Sequence, residues 1–366
     1  MLNRLAASNR SSSAAASRDE SSLDLKPPSE LIPVLSLFSG AGVLDYAIEL
    51  TGRFQVVASV ELDPTFAQTL KVNAEKDLLS SRVICADVRQ LNPSIVLGEC
   101  ALKGKLFGLV GGPPCQSFSS MGRKGGLKDD RGMLMFDFAQ WVSTLLPGFF
   151  LIENVPNFEK IEAGKPFESL RSDLESKGYT VSHAVLNAAD YGAPTSRRRL
   201  FIVGLSGHSK FEFPRPTHSN PKKGLVEGTL PWVTSSEVLA DLPAPSSDRL
   251  AEPQWHVGIK HRTDVVARFE ALKPGGYDYV RKRSRLAPDE PGKSLVAGNW
   301  QGARFHIHPL EPREITNREA ARLQGIPDNF LFAGERVAVA RQIANAVPVQ
   351  LGHAVAAALY RHLSLR

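Results

Sequence analysis

The chain has 366 residues, 42% of them hydrophobic and 22% charged, and a formal net charge of +6, which fits a globular protein with room for a core domain and a second module. A disulfide-stapled scaffold and a structural zinc site are excluded, because the three cysteines (Cys85, Cys100 and Cys115) are too few and lack Cys-x-x-Cys spacing. No apolar run approaches the ~18–20 residues of a membrane span, and the mild basic excess is compatible with a polyanionic partner without requiring one.

Residues 1–33 are rich in Ser and Ala, with balanced charge and no apolar periodicity. A disordered tail is expected there. It has no apolar h-region, and Asp19, Glu20, Asp24 and Glu30 argue against a transit peptide. From residue 34, strand, turn and helix alternate. "VLSLF" (34–38) leads into "SGAG" and an apolar-periodic stretch through Leu50. "VVASVE" (56–61) is followed by an amphipathic helix over 64–79. Further strands are expected at 82–88, 106–112, 149–155 and 199–205. Continuous apolar strands alternating with helices predict an α/β fold, doubly wound, with a mostly parallel sheet covered on both faces. Cys85 lies inside one of these strands and is expected to be structural.

The character changes between 206 and 311, where Pro, Gly and charged residues are frequent and "TDVVARFEAL" (263–272) is the one helical pattern. At 316 order returns with a capping box, Thr316 as N-cap and Glu319 three residues on. The helix it opens ends near Gly325 and Pro327. A last helix is expected over 349–363. The division predicted is a tail (1–33), a first α/β domain (34–205), a smaller loop-rich module (206–311) and a C-terminal segment (312–366).

The chemistry-bearing residues fall at strand ends. Gly40 and Gly42 follow the first strand, Glu61 ends the second and Asp87 the third; Cys115 follows the fourth and Glu153 the fifth. Parallel α/β sheets bind ligands outside the carboxyl ends of their strands, so five strands aim polar groups at one crevice. "FSGAG" suits a ligand with an adenosine-like part, though it is equally a tight strand-to-helix turn. Glu61 is placed to accept from two ribose hydroxyls and Asp87 from an adenine amino group; a solvated strand end is the alternative for each. The third glycine of the dinucleotide fingerprint is replaced by Asp45, which disfavours a nicotinamide-dependent oxidoreductase. Pro113 and Pro114 stiffen the approach to Cys115, and Gln116, Ser117, Ser119 and Ser120 are too polar for a core. A presented thiolate nucleophile fits better than a buried small residue. Glu153 is the candidate proton donor, with Asn154 holding the neighbouring backbone.

"LFSGAG", "GGPPCQSFS", "DDRGMLMF", "ENV", "RRRLF", "EITNREAARLQGIPDNF" and "QIANAVPV" resemble, in this order, the motifs of the cytosine-5 DNA methyltransferase family, of the bacterial modification-methylase type. The resemblance runs from about 34 to 361 and is interrupted by 206–311, where the family keeps its target-recognition domain. It implies the class I methyltransferase fold, S-adenosylmethionine as cofactor and duplex DNA as partner. It also implies a target cytosine flipped out of the stack, attacked at carbon 6 by Cys115 and protonated at ring nitrogen 3 by Glu153. Arg197 and Arg199 match the family arginines near the base, Arg199 touching the base oxygen. Phe38, Gly40, Gly42, Glu61, Asp87, Pro114, Leu134 and Asn345 match the cofactor surroundings. The stretch after Cys115 resembles the mobile catalytic loop, with Arg123, Lys124 and Lys128 meeting phosphates. Val43, Thr195 and Ala344 depart from the usual glycine, glutamine and glycine.

Target recognition is expected from 279–309, where Arg281, Arg283, Arg285, Asn299, Gln301 and Arg304 are candidate DNA contacts. The helix opened at Thr316 is expected to be a scaffold for that module. The target sequence is not legible. A tRNA cytosine methyltransferase and a DNA-binding relative without catalysis are the rivals; the intact Cys115 and Glu153 speak against the second. A monomeric, cytoplasmic and nucleoid-associated enzyme is expected, with a cognate restriction endonuclease as a possible partner and with neither metal nor membrane.

Overall fold

Seven strands form the central sheet: β1 (Ile32–Leu37), β2 (Phe54–Glu61), β3 (Arg82–Cys85), β4 (Gly108–Gly111), β5 (Phe149–Asn154), β6 (Tyr179–Asn187) and β7 (Arg198–Ser206). Their spatial order is β3-β2-β1-β4-β5-β7-β6. The computed structural model describes residues 31–102, 106–114, 134–207, 209–248, 252–296 and 305–364. Cys115, Arg123, Lys124, Lys128, Asn299, Gln301, Arg304 and nearly all of the expected tail lie outside them.

Strands β1 to β5 pair in parallel, and β7 alone runs against its neighbours. The carboxyl ends of the parallel strands stand level, with Leu37 opposite both Val60 and Gly111, and Gly111 opposite Ile152. Because β7 is antiparallel, its beginning meets the end of β5: Asn154 pairs with Leu200 and Glu153 with Phe201. This reversal brings a segment of 190s numbering to the same edge as the strand-end carboxylates.

Both sheet faces are covered, as continuous apolar strands require. Helices α1 (Val43–Glu49), α2 (Pro64–Ala74), α3 (Pro93–Glu99), α4 (Leu134–Leu145) and α5 (Lys165–Ser176) connect the strands. On one face Phe138, Trp141 and Val142 of α4 and Leu170 and Leu174 of α5 bury against Leu109, Phe150, Ile152 and Ile202. On the other, Leu44 and Ile48 of α1 pack against Val34, Phe54, Val56, Phe149 and Phe201, together with a helix from the far end of the chain.

Beyond β7 the chain is built from short pieces, among them α6 (Ser235–Leu239) and α7 (Thr263–Glu270). Helix α8 (Asn317–Leu323) starts at Thr316, whose hydroxyl accepts from the Glu319 amide while the Glu319 carboxylate accepts from the Thr316 amide. The scaffold character of α8 is plain: Arg318 is fully buried and donates to the carbonyls of Gln254, Pro327 and Phe330. Helices α9 (Arg336–Asn345) and α10 (Val349–Ser364) follow. The stretch 336–364 is long and apolar enough for a membrane span, contrary to the sequence reading. Its apolar character is used inside the protein: α9 and α10 are separated by extended backbone at Ala346, and Leu351, Val355 and Leu359 of α10 sit in the sheet core.

The edge strand β6 was not anticipated. Cys85 is also a correction: it ends β3 exposed, because the strand stops three residues earlier than expected and Asp87 caps the following turn.

Candidate active site

The end of β5 delivers Glu153 to the sheet edge, and the start of β7 delivers Arg199 to the same face two positions from Glu153's direct partner. Glu153 Oε1 lies 2.7 Å from Arg199 Nε, and each side chain is only 12% exposed. Burial pushes the Glu153 carboxyl above the usual carboxylate range, with Arg199 and then Arg197 pulling the other way. Burial also works against the Arg199 cation. The pair is therefore poised to hold or release a proton near its opening.

The loop after β4 lies against this pair. A methyl group at Gly112 would stand 3.1 Å from Glu153 Oε2, so the absence of a side chain lets the loop approach the carboxylate closely. Asn154 Nδ2 donates to the Pro113 carbonyl at 3.1 Å, tying the loop to the strand that carries Glu153. Pro114 is exposed at the end of that loop, and Cys115 is next in sequence.

The other expected cofactor residues gather at the neighbouring strand ends. Phe38 and Gly40 take left-handed backbone after β1. A methyl group on Gly40 would meet no atom within 4 Å, so open space lies over this turn, whereas one on Gly42 would strike Leu70 at 2.5 Å. Gly42 is thus a packing glycine and Gly40 faces the crevice. Glu61 accepts from the Gly40 and Asp63 amides, both at 2.8 Å, and burial raises its pKa. Its oxygens retain lone pairs for further donors. Leu62, 62% exposed beside Glu61, offers an apolar surface that the sequence reading overlooked. Asp87 is engaged by Arg89 at 2.6 Å, which holds its pKa below the usual range. Asp137, on the first turn of α4 after the half-buried Leu134, has a buried Oδ2 with no hydrogen-bond partner among the described residues. It too was missed, since a lone acid in an apolar helix carries no pattern. Asn345 ends α9 exposed. An open floor, a lone-pair-bearing carboxylate, an exposed apolar side chain and an orphaned acceptor fit a ligand with a ribose and a planar base.

Three arginines are placed otherwise than expected. Arg197 does not open onto the crevice: it is 2% exposed, and donates to the carbonyls of Leu295 (2.7 Å) and Ala344 (2.5 Å) and to Ser294 Oγ (3.2 Å). Arg285 is buried and donates to the carbonyls of Phe269, Leu272, Pro309 and Leu310, so it ties the module together and offers no phosphate contact. Arg283 is largely buried, donating to the Phe305 carbonyl and pairing with Glu314. Arg281 keeps 38% exposure, beside Tyr279 and Val280 at 82% and 72%.

A family model described as C-5 cytosine-specific DNA methylase matches residues 32–361. The Type II methyltransferase M.NgoPII of Neisseria gonorrhoeae is 32% identical over 354 residues, covering 90% of this chain and 96% of its own. M.NgoFVII of the same organism is 31% identical over 331 residues, covering 87% and 83%. Among solved structures, a protein assigned as a DNA modification methyltransferase encoded within an E. coli prophage superposes with TM-score 0.72 at 29% identity, over 91% of this chain and 99% of that one. The Dnmt2 methyltransferase of S. pombe shares the fold, with TM-score 0.63 at 18% identity over 91% and 99%.

Proposed function

Since the chain belongs to the C-5 cytosine-specific DNA methylase family and is a DNA cytosine-5 methyltransferase, we propose that it acts on one cytosine within a specific duplex sequence, with Cys115 as nucleophile and Glu153 as proton donor. The single observation that carries this reading is the Glu153–Arg199 pair, nearly buried at a sheet edge against the Gly112–Pro114 loop that leads to Cys115. The target base is flipped into the crevice, as chemistry at a ring carbon in a duplex requires.

The Cys115 thiolate forms a bond to carbon 6, and Glu153 donates its proton to ring nitrogen 3, so that electron density builds at carbon 5. Arg199 keeps Glu153 aimed at the base and donates to the base oxygen. S-adenosylmethionine, when bound, supplies an electrophilic methyl group to carbon 5. A water molecule then takes the carbon-5 proton, the electrons of that C–H bond re-form the double bond to carbon 6 as the Cys115 sulfur leaves as thiolate, and Glu153 recovers the nitrogen-3 proton. Phe38, Gly40, Glu61, Leu62, Leu134 and Asn345 would hold the cofactor, Glu61 through its ribose hydroxyls. Asp87 reaches the adenine amino group with the acceptor capacity that Arg89 leaves it. Arg123, Lys124 and Arg281 would meet phosphates, with Asn299, Gln301 and Arg304 nearer the bases.

In this reading residues 34–205 are the catalytic domain, 206–311 the recognition domain and 312–366 a return segment. The relatives named as Type II methyltransferases support a bacterial modification role, paired with a restriction endonuclease and exercised on chromosomal DNA in the cytoplasm. Transfer of labelled methyl groups to duplex DNA, followed by bisulfite mapping, tests the proposal and names the target. Transfer to tRNA but to no DNA would overturn it. Cys115→Ser is expected to abolish turnover while leaving DNA binding intact.

A further inference from the structure

The seam between the recognition module and the catalytic domain is tied at several places, among them Phe211 to Ser182 and Trp232 to Asp190, and one of these ties is a strand pairing that runs to the site. Segment 292–295 lies along segment 194–197, with Gly292 paired to Thr195 and Lys293 to Ser196 in parallel. The Gly292 amide donates to the Pro194 carbonyl at 2.8 Å, and Thr195 Oγ1 donates to the Gly292 carbonyl at 3.1 Å. The approach is close: a methyl group at 292 would stand 3.3 Å from the Pro194 carbonyl oxygen and 3.0 Å from Leu323, so a larger residue would require its neighbours to give way.

Arg197 closes the seam. One terminal nitrogen serves Ser294 and Leu295 on the module side, and the other serves the Ala344 carbonyl at the end of α9. Residue 345, the next along the chain, is Asn345, exposed and assigned to the cofactor in the reading above. Two residues beyond Arg197, Arg199 holds Glu153. A guanidinium is a planar, rigid fork, so its two ends cannot move independently. A shift of the Leu295 carbonyl when the module engages DNA must be passed to the Ala344 carbonyl or break a buried hydrogen bond. Thr195 and Ala344, two of the departures from the family pattern, are both part of this joint.

We propose that Arg197 is a positioning residue that makes DNA binding and cofactor binding cooperative, by holding the recognition segment at Leu295 and the Asn345-bearing end of α9 on one guanidinium. The inference rests on the DNA and S-adenosylmethionine reading above. It is a coupling free energy and so must be reciprocal: DNA tightens the cofactor by the factor with which the cofactor tightens DNA.

The test uses the full chain, S-adenosylhomocysteine as an unreactive probe, and a duplex carrying the mapped target cytosine. Affinity for the probe is measured by calorimetry with and without duplex, and affinity for the duplex with and without probe. The native protein is expected to show coupling within the usual range of about 5- to 150-fold. Arg197→Lys, which keeps the charge but not the fork, is expected to bring that factor close to unity, with each separate affinity held within about threefold. The double variant Thr195→Val/Ser294→Ala, which loosens the module side alone, is expected to lower the factor as well. It carries the test if the lysine variant does not fold. Unchanged coupling in a variant whose unfolding temperature has dropped would make Arg197 a structural brace and overturn the proposal. So would a native protein that binds both ligands without coupling. A native protein that fails to bind duplex or probe at all would instead refute the functional reading.

Discussion

Replacing Glu153 by glutamine keeps the shape of the side chain and an oxygen to accept from Arg199, but removes both the negative charge and the transferable proton. The native pair sits at 2.7 Å with each side chain 12% exposed. Stranding one member of such a buried pair costs about 3–5 kcal/mol, and because the amide oxygen still accepts from Arg199, the loss of stability is expected near the lower end. A positioned proton donor contributes about 10²- to 10⁴-fold in rate, equivalent to about 3–5 kcal/mol of barrier. Glu153→Gln should therefore unfold at lower urea concentration and lose at least about a hundredfold in single-turnover methyl transfer. Its affinity for duplex should change little, since in the proposed reading Glu153 meets the flipped base and no phosphate. The two readouts separate the roles. A variant that loses stability but transfers methyl groups within about threefold of the native rate would refute Glu153 as the proton donor, leaving it a structural partner of Arg199.

Gly40→Ala and Gly42→Ala both place a side chain on left-handed backbone, at about 1–2 kcal/mol each. Only the first puts a methyl group into the open crevice, so calorimetry with S-adenosylhomocysteine should show at least about tenfold weaker binding for Gly40→Ala, and thermal unfolding the larger loss for Gly42→Ala. Arg281→Ala should reduce the slope of log affinity against log salt by about one for duplex DNA, whereas Arg285→Met should leave the slope alone and lower the unfolding temperature; equal slopes for native protein and Arg281→Ala would remove Arg281 from the interface. Asp45 is enclosed by the hydroxyls of Ser36 and Ser59, and burial raises its pKa from 3.8 to about 7. The folded state then holds a proton that the unfolded chain has released, so this group's contribution to stability is complete below about pH 4 and is lost as pH rises toward and through 7. Asp45→Asn should flatten the fall in urea midpoint between pH 5 and 8, and an unchanged fall would place the titration elsewhere.

The sheet was legible where strands are buried on both faces. "VLSLF", "VVASVE" and "FFLIENV" are continuous apolar runs because helices cover them above and below. Strand β6, "YTVSHAVLN", lies at the sheet edge with most positions half-exposed, so it shows neither a run nor a clean alternation. The capping box at Thr316 was readable because it is local, three residues closing on themselves. The arginines were not. Arg197 and Arg285 look in the sequence like Arg281, yet the carbonyls that bury Arg197 belong to residues about a hundred or more positions away. A charge in the sequence states what a side chain can donate, and only the tertiary contacts decide whether water, phosphate or a carbonyl receives it.

The close passage of Gly292 against Pro194 sets a condition on how this enzyme can change specificity. A foreign recognition module grafted between β7 and α8 would carry its own loops and its own readers. It would still have to cross the same threshold, with a small residue whose amide reaches the Pro194 carbonyl and an acceptor within reach of Arg197. Chimeras cut on the module side of Gly292, which keep the 292–295 strip with the host, should retain turnover where chimeras that import the strip fail. The natural unit of exchange is thus shorter than the module itself.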